Sequence, residues 1–259
     1  MMRSLRGLSY DVSIRGEGNP ILLLHGFTGS RSFEDDFPAL PGTLVTPSLL
    51  HHGKSASPSR QRSTMSQQVK DLSALLALDP RPWTVIGYSL GGRIGMTLAM
   101  CDARVDHFIG ISTTPGLLDA SERKGRRQQD ERLARLLEEE GMTSFVARWE
   151  TLPLWHQTDD MRRALRPGRL AQSPMALATS LRAIGTGHMP SLWHQLHRLP
   201  RTDFIVGQYD YKFQQIARQM QERRPDFNVY EISHAGHAPH IENAREFGTI
   251  IEKLILGGN

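Results

Sequence analysis

The sequence predicts an α/β protein: a mostly parallel central sheet flanked by helices, interrupted once by an all-helical insert. Three observations predict it. Short apolar runs at residues 21–24, 83–86 and 105–112 alternate with helical patterns, the rhythm of parallel strands joined by crossover helices. That rhythm stops near Thr113 and resumes at Asp203, with helix-like sequence out to about Leu192 and no convincing strand between. Finally, Gly87-Tyr88-Ser89-Leu90-Gly91 stands at a strand-to-helix junction, the setting in which G-x-S-x-G means an exposed serine on a sharp turn.

Taken in order, residues 10–15 alternate apolar and polar side chains, as a half-buried strand does. Gly16-Glu-Gly-Asn-Pro20 turns the chain, and Ile21-Leu-Leu-Leu24 is wholly apolar, as a central parallel strand would be. It runs into the glycine-punctuated loop His25-Gly26-Phe27-Thr28-Gly29. Leu44-Val45 begins another strand, leading to Leu50-His51-His52-Gly53. Thr64 and Gln67 have capping-box spacing, and Val69, Leu72, Leu75 and Leu76 follow at helical intervals until Pro80-Arg-Pro82 stops the helix. Residues 94–100 form the helix after Ser89. Beyond the insert, residues 203–207 and 228–232 read as strands. Phe213, Ile216, Ala217 and Met220 mark one amphipathic helix, and Phe247, Ile250, Ile251, Leu254 and Ile255 mark the last. The expected organisation is a core over 1–113, a helical cap over 114–192 at the carboxyl edge of the sheet, and the rest of the core over 193–259.

The composition fits one large domain. Of 259 residues, 39% are hydrophobic and 22% charged, enough apolar sequence for a proper core. The net charge of +4 is mild, and arginine supplies most of its positive part. No basic repeat or aromatic-interleaved motif points to nucleic acid. No apolar run approaches the ~18 residues of a membrane span, and the first ten residues lack the apolar core of a secretory signal. The single cysteine, Cys101, precludes an intrachain disulfide and reads as a small buried apolar residue. A cytoplasmic protein is expected, with no nucleic-acid partner and no membrane insertion; no pattern separates monomer from homo-oligomer.

A serine hydroxyl becomes a useful nucleophile or base only when a histidine takes its proton, and that histidine needs a carboxylate to hold its tautomer. Asp210, just past the strand at 203–207, and His237, after the strand ending at Ile232, follow Ser89 in the order serine, acid, histidine. All three fall at carboxyl ends of strands. The rivals are His234 and His240, Asp203 and Asp226, with Asp203 at the wrong end of its strand. His234 and His237 are three apart, but no carboxylate or cysteine cluster completes a metal site, so no metal is expected. The peptide N–H of Leu90 would face developing negative charge.

The strand ending in His25-Gly26-Phe27, the turn at Ser89, Gly207-Gln-Tyr-Asp210 and Ala235-Gly-His237 resemble the α/β-hydrolase superfamily over nearly the whole chain. The resemblance implies that Phe27 lends its N–H to an oxyanion hole beside Leu90. One departure is His51-His52-Gly53, where the superfamily usually has Gly-His-Gly. The sequence from Gly87 to Arg93 combines with Ser121-Glu-Arg123, Arg126-Arg127, Asp130, residues 145–149, Leu165-Arg166, residues 181–187 and Ser191-Leu-Trp193. This set resembles the 2-succinyl-6-hydroxy-2,4-cyclohexadiene-1-carboxylate (SHCHC) synthase family of menaquinone biosynthesis. That family, a cofactor-free lyase family, expels pyruvate by proton abstraction, which implies Ser89 as a base rather than an acylated nucleophile.

A tricarboxylate substrate would need cationic partners once water is excluded. Arg93 is one helical turn past Ser89, and Arg166 lies in a second cap segment. Arg123, Arg126 and Arg127 share one helix face, which by itself reads as a solvated face with pairs such as Arg126–Asp130. The family resemblance turns one of them to the substrate; spacing from Asp130 favours Arg126, with Arg127 next. Tyr88 and Trp149 read equally as packing residues, and the resemblance draws both to the pocket. Three other readings remain: a serine hydrolase of esters or carbon–carbon bonds with the same triad, a non-catalytic ligand receptor, and an anionic-surface or nucleic-acid binder using the basic cap helix.

Overall fold

The computed structural model describes residues 1–257. In chain order it has β1 (Met2–Leu5), β2 (Leu8–Arg15), β3 (Pro20–Leu24), β4 (Thr43–Pro47), α1 (Met65–Leu75), β5 (Trp83–Tyr88), α2 (Leu90–Cys101) and β6 (Val105–Ile111). Three long helices follow: α3 (Ala120–Trp149), α4 (Asp159–Leu170) and α5 (Pro174–Ile184). The chain closes with β7 (Arg201–Gly207), α6 (Tyr211–Arg223), β8 (Asn228–Ile232), α7 (Pro239–Glu242) and α8 (Ala244–Ile255).

The eight strands form one sheet in the order β1-β2-β4-β3-β5-β6-β7-β8. β1 pairs antiparallel with β2, and β2 with β4; every other pairing is parallel. Side chains alternate across the pleat, so each strand feeds two apolar layers. Leu22, Leu24, Val85, Phe108 and Phe204 face one layer with Leu72 of α1, Ile94 of α2 and Met220 of α6. Ile21, Leu23, Ile86, Ile109 and Ile205 face the other with Phe247, Ile251 and Leu254 of α8. β3, β5 and β6 lie mid-sheet, which is why their sequences are apolar on both sides.

Three local expectations change. β1 was hidden because Met2-Arg-Ser-Leu5 has no strand-like alternation; it is an edge strand held by a two-residue turn at Arg6 and Gly7, both with positive φ (48° and 82°). Thr64 does sit at the N-cap of α1, but its side chain caps nothing. Gln67 instead accepts from Arg6 Nη1 at 3.1 Å, a tertiary claim on the group the capping box needed. Cys101 is exposed, because it is the last residue of α2 and falls past that helix's buried stripe.

The helices between β6 and β7 carry an apolar cluster of their own. Leu137, Phe145 and Val146 of α3 pack on Leu177, Ala178 and Leu181 of α5, with Phe27 and Trp149 at the edge of the cluster. α3 bends at Gly141, whose φ of 75° and ψ of −173° are open to glycine and hardly to any other residue. Among the described residues no helix is long and apolar enough to cross a membrane.

Candidate active site

β5 delivers Ser89 into a backbone conformation rare for a residue with a side chain, φ 49° and ψ −104°. The strain is held by neighbours on every side. Ser89 N–H donates to the Ile111 carbonyl at 2.9 Å, and the Ser89 carbonyl accepts from Thr113 Oγ1 at 3.1 Å and Arg93 N–H at 3.1 Å. The turn is so tight that a Cβ on Gly91 would stand 2.1 Å from the Leu24 carbonyl oxygen, and one on Gly87 2.6 Å from the Gly91 oxygen. Only glycine fits at either position, so the G-x-S-x-G spacing follows from the bend itself.

Ser89 Oγ lies 3.1 Å from His237 Nε2, and His237 Nδ1 lies 2.7 Å from Asp210 Oδ2. The structure brings these three together from the ends of β5, β7 and β8. Asp210 is the N-cap residue of α6, its carbonyl accepting from the Phe213 and Gln214 N–H groups. His237 is fixed from the insert: its N–H donates to the Leu154 carbonyl at 3.0 Å. Buried Glu242 accepts from the Gly236 N–H, and from the His156 N–H at 3.0 Å, tying the histidine loop to the α3–α4 connection. None of the rivals bonds to Ser89 or His237 among the described residues, although His240 also lines the cavity. Asp203 is buried against His107 at 2.6 Å, and His234 meets the Tyr209 hydroxyl at 3.2 Å. His240 is buried under Tyr88, ring centroids 4.4 Å apart, and burial pushes its pKa down to about 3.

The Phe27 and Leu90 N–H groups line the same cavity as Ser89 and donate to no other group among the described residues. His25 anchors the loop carrying Phe27: its Nδ1 meets the Gly26 carbonyl at 2.7 Å, and its Nε2 accepts from the Leu49 N–H at 2.9 Å. In the His51-His52-Gly53 segment, His51 lies between Ser57 and Ser63 hydroxyls (2.7 and 2.6 Å), and His52 packs edge-on against His25 and Phe27. Burial holds His25 and His51 at pKa values of about 4, so all this scaffolding is neutral near pH 7.

The cavity measures about 640 Å³, and residues of α3, α4 and α5 line part of it. Tyr88, Arg93, Arg126 and Trp149 all line it. Arg93 is buried and donates to the Ile184 carbonyl at 2.6 Å; burial, reinforced by Arg126, lowers its pKa to about 9. Arg126 Nε bonds Asp130 at 2.8 Å. Its neighbours go elsewhere, Arg123 to the Leu117 and Leu118 carbonyls and Arg127 to the Gly187 carbonyl.

Arg166 is a correction. It lies outside the cavity, 42% exposed, paired with Glu150 at 2.8 Å along an outer groove. Arg169, three residues on, takes the inward place: 8% exposed, it lines the cavity between Glu150 (2.9 Å) and Gln157 (3.1 Å). Glu150 thus holds two neighbouring arginines of α4, one in the outer groove and one in the cavity.

Residues 21–248 match the Alpha/beta hydrolase family. The chain belongs to that family. Among relatives, it is 34% identical to a Bacillus subtilis (strain 168) protein provisionally named 2-succinyl-6-hydroxy-2,4-cyclohexadiene-1-carboxylate synthase, over 96% of this chain and 95% of that one. It is 32% identical to the Yersinia pseudotuberculosis (serotype O:1b, strain IP 31758) protein of that name, over 88% and 84%. The structure of MenH from S. aureus superimposes with a TM-score of 0.89 at 30% identity, covering 96% of this chain and 98% of that one. A thermophilic esterase from Thermogutta terrifontis, 21% identical with a TM-score of 0.81 over 99% and 96% of the two chains, shares the fold.

Within this alpha/beta hydrolase site, several residues carry no signal in the sequence. Trp155 packs its ring 5.7 Å from His237 and donates Nε1–H to the Trp149 carbonyl at 2.7 Å. Gln172 donates to the Thr28 and Gly29 carbonyls (3.3 and 3.1 Å) and accepts from the Gly53 N–H at 2.9 Å. The one available hint for Arg169 was its spacing of three from Arg166, which places two arginines on neighbouring faces of one helix without saying which faces inward.

Proposed function

We propose that this protein is the SHCHC synthase of menaquinone biosynthesis, a cytoplasmic lyase that eliminates pyruvate from 2-succinyl-5-enolpyruvyl-6-hydroxy-3-cyclohexene-1-carboxylate. The observation that carries the reading is one cavity lined both by the Ser89–His237–Asp210 chain and by the cations Arg93, Arg126 and Arg169. The named relatives, aligned over nearly the whole chain, support it.

His237 takes the Ser89 proton, and the resulting alkoxide removes the proton from the ring carbon bearing the succinyl group. The adjacent carbonyl makes that carbon acidic, and its oxygen accepts the charge as the enolate forms. The Phe27 and Leu90 N–H groups supply the oxyanion hole for that oxygen. The ring double bond then shifts, a second one forms, and the carbon–oxygen bond to the enolpyruvyl group breaks. The departing enolate takes a proton and becomes pyruvate, so no redox partner enters the balance. Asp210 keeps the His237 Nδ1–H oriented throughout. In this reading residues 114–192 act as the cap, excluding water from the alkoxide, with Tyr88 and Trp149 shaping the apolar side of the cavity. The arginines receive the substrate carboxylates.

The test is pyruvate release from the cyclohexene precursor alongside cleavage of a neutral aryl ester. Wild type releases pyruvate with little esterase activity, and Ser89→Ala loses release by at least about 1,000-fold. Fast ester cleavage without pyruvate would make the protein a serine hydrolase and sink the lyase reading.

A further inference from the structure

The cations of the cavity are not equally engaged. Arg93 donates to the Ile184 carbonyl, Arg169 is held by Glu150 and Gln157, and Arg126 gives its Nε to Asp130. Lys212 lines the cavity as well, at the second position of α6, and its side chain makes no hydrogen bond or ion pair among the described residues. Its ammonium stands 5.7 Å from the centre of the Phe213 ring, and that ring lies 4.6 Å from His237. Because α6 begins on Asp210, the residue that orients the histidine also sets where Lys212 projects. Arg126 and Lys212 line the same cavity, and partial desolvation there, with the charge of Arg126, holds the Lys212 ammonium below its usual pKa although the residue as a whole is exposed. Two cations lining one cavity with unspent donors are a receptor for an anion, whose arrival relieves their repulsion.

We propose that Lys212 is a substrate-binding residue, forming with the free guanidinium edge of Arg126 the seat for one substrate carboxylate. This rests on the lyase reading, since a neutral ester offers nothing to such a seat. Asp210 and Glu122 lie close enough to attract Lys212, but among the described residues neither forms an ion pair with it, whereas Arg126 and Arg169 are each bonded to a carboxylate, which leaves Lys212 the more available to an incoming anion. Its exposure, and the absence of side-chain bonds, make it replaceable without disturbing the core.

The test combines steady-state kinetics with a binding measurement that needs no turnover. The probe is 2-(3-carboxypropanoyl)benzoate, an aromatic stand-in for the product, titrated calorimetrically into wild type, Lys212→Gln, Lys212→Arg and the control Lys124→Gln, on an exposed lysine of α3. Lys212→Gln should raise KM and weaken probe binding by about 10- to 100-fold, the worth of a charge-assisted hydrogen bond, with Lys212→Arg restoring most of it. Lys124→Gln should move neither. Unchanged KM and probe affinity in Lys212→Gln, or a fall in kcat alone, would overturn the assignment. If wild type releases no pyruvate while probe binding still depends on Lys212, the lyase reading fails and the carboxylate seat stands.

Discussion

Arg166 and Arg169 show how much chemistry can turn on three residues of one helix. Both reach Glu150, which is 6% exposed, yet one guanidinium lies in an outer groove and the other in the cavity. Arg169→Gln should therefore lower kcat/KM for pyruvate release by about 10- to 100-fold, as loss of a charged hydrogen-bond partner to substrate does. Arg166→Gln should change it less than about threefold, in keeping with an exposed ion pair. Equal losses in the two variants would show that Glu150, not direct contact, transmits the effect. Ser89 makes the complementary point. Its strained backbone is stable only because three hydrogen bonds and two glycines leave the turn no alternative.

The loops after β3 and β4 and the start of α5 meet at Gln172. Its amide joins the Thr28 and Gly29 carbonyls to the Gly53 N–H, so one side chain from the insert holds the loop that carries Phe27. Rings reinforce the same junction: Phe27 packs against Phe145 and Trp149 at 6.0 and 5.6 Å. Replacing Gln172 with Met keeps the volume, strands the buried Thr28 carbonyl and removes the partner of the half-buried Gly29 carbonyl and the Gly53 N–H. The expected loss is about 1–3 kcal/mol, read from urea unfolding with an unchanged m value. A stability equal to wild type would mean that water or a shifted loop satisfies those groups instead.

Across the whole molecule, buried histidines link folding to pH. His25 and His51 have pKa values lowered to about 4 and His240 to about 3, in each case chiefly by burial. In the unfolded chain they titrate near 6.5, so below that pH the unfolded state binds more protons and stability falls as pH falls towards 4. Asp36 acts in the opposite sense. Burial and the adjacent Asp35 push it up to about 7, so it contributes stability at low pH that is lost as pH rises through 7. His52 and His188 are lowered as well and Glu242 is raised, so the lowered histidines outnumber the raised carboxyls, and the urea midpoint should drop steadily between pH 6.5 and 4. His51→Asn, which keeps a residue tolerant of the φ of 70° found there, should make that slope shallower by up to one proton, about 1.4 kcal/mol per pH unit. A pH profile identical to wild type would mean that His51 does not titrate with unfolding.

Much of this protein is legible in the order of its residues. Seven of the eight strands announce themselves: the central ones as aliphatic runs, because both their faces are buried, and the half-exposed β2 and β8 by alternation. Ser89, Asp210 and His237 are readable too, since each must follow a strand and the turn at Ser89 admits only glycine at two positions. Beyond that point local sequence is silent. An edge strand such as β1 takes its stability from its partner, and its own pattern says little. A charged helix carries arginines on every face, and only the packing of α4 against Glu150 turns Arg169 inward and leaves Arg166 outside. The places of Trp155 and Gln172 are likewise set by contacts between segments distant along the chain. Periodicity is a property of the chain, whereas the direction a polar side chain faces is decided by which neighbours arrive around it.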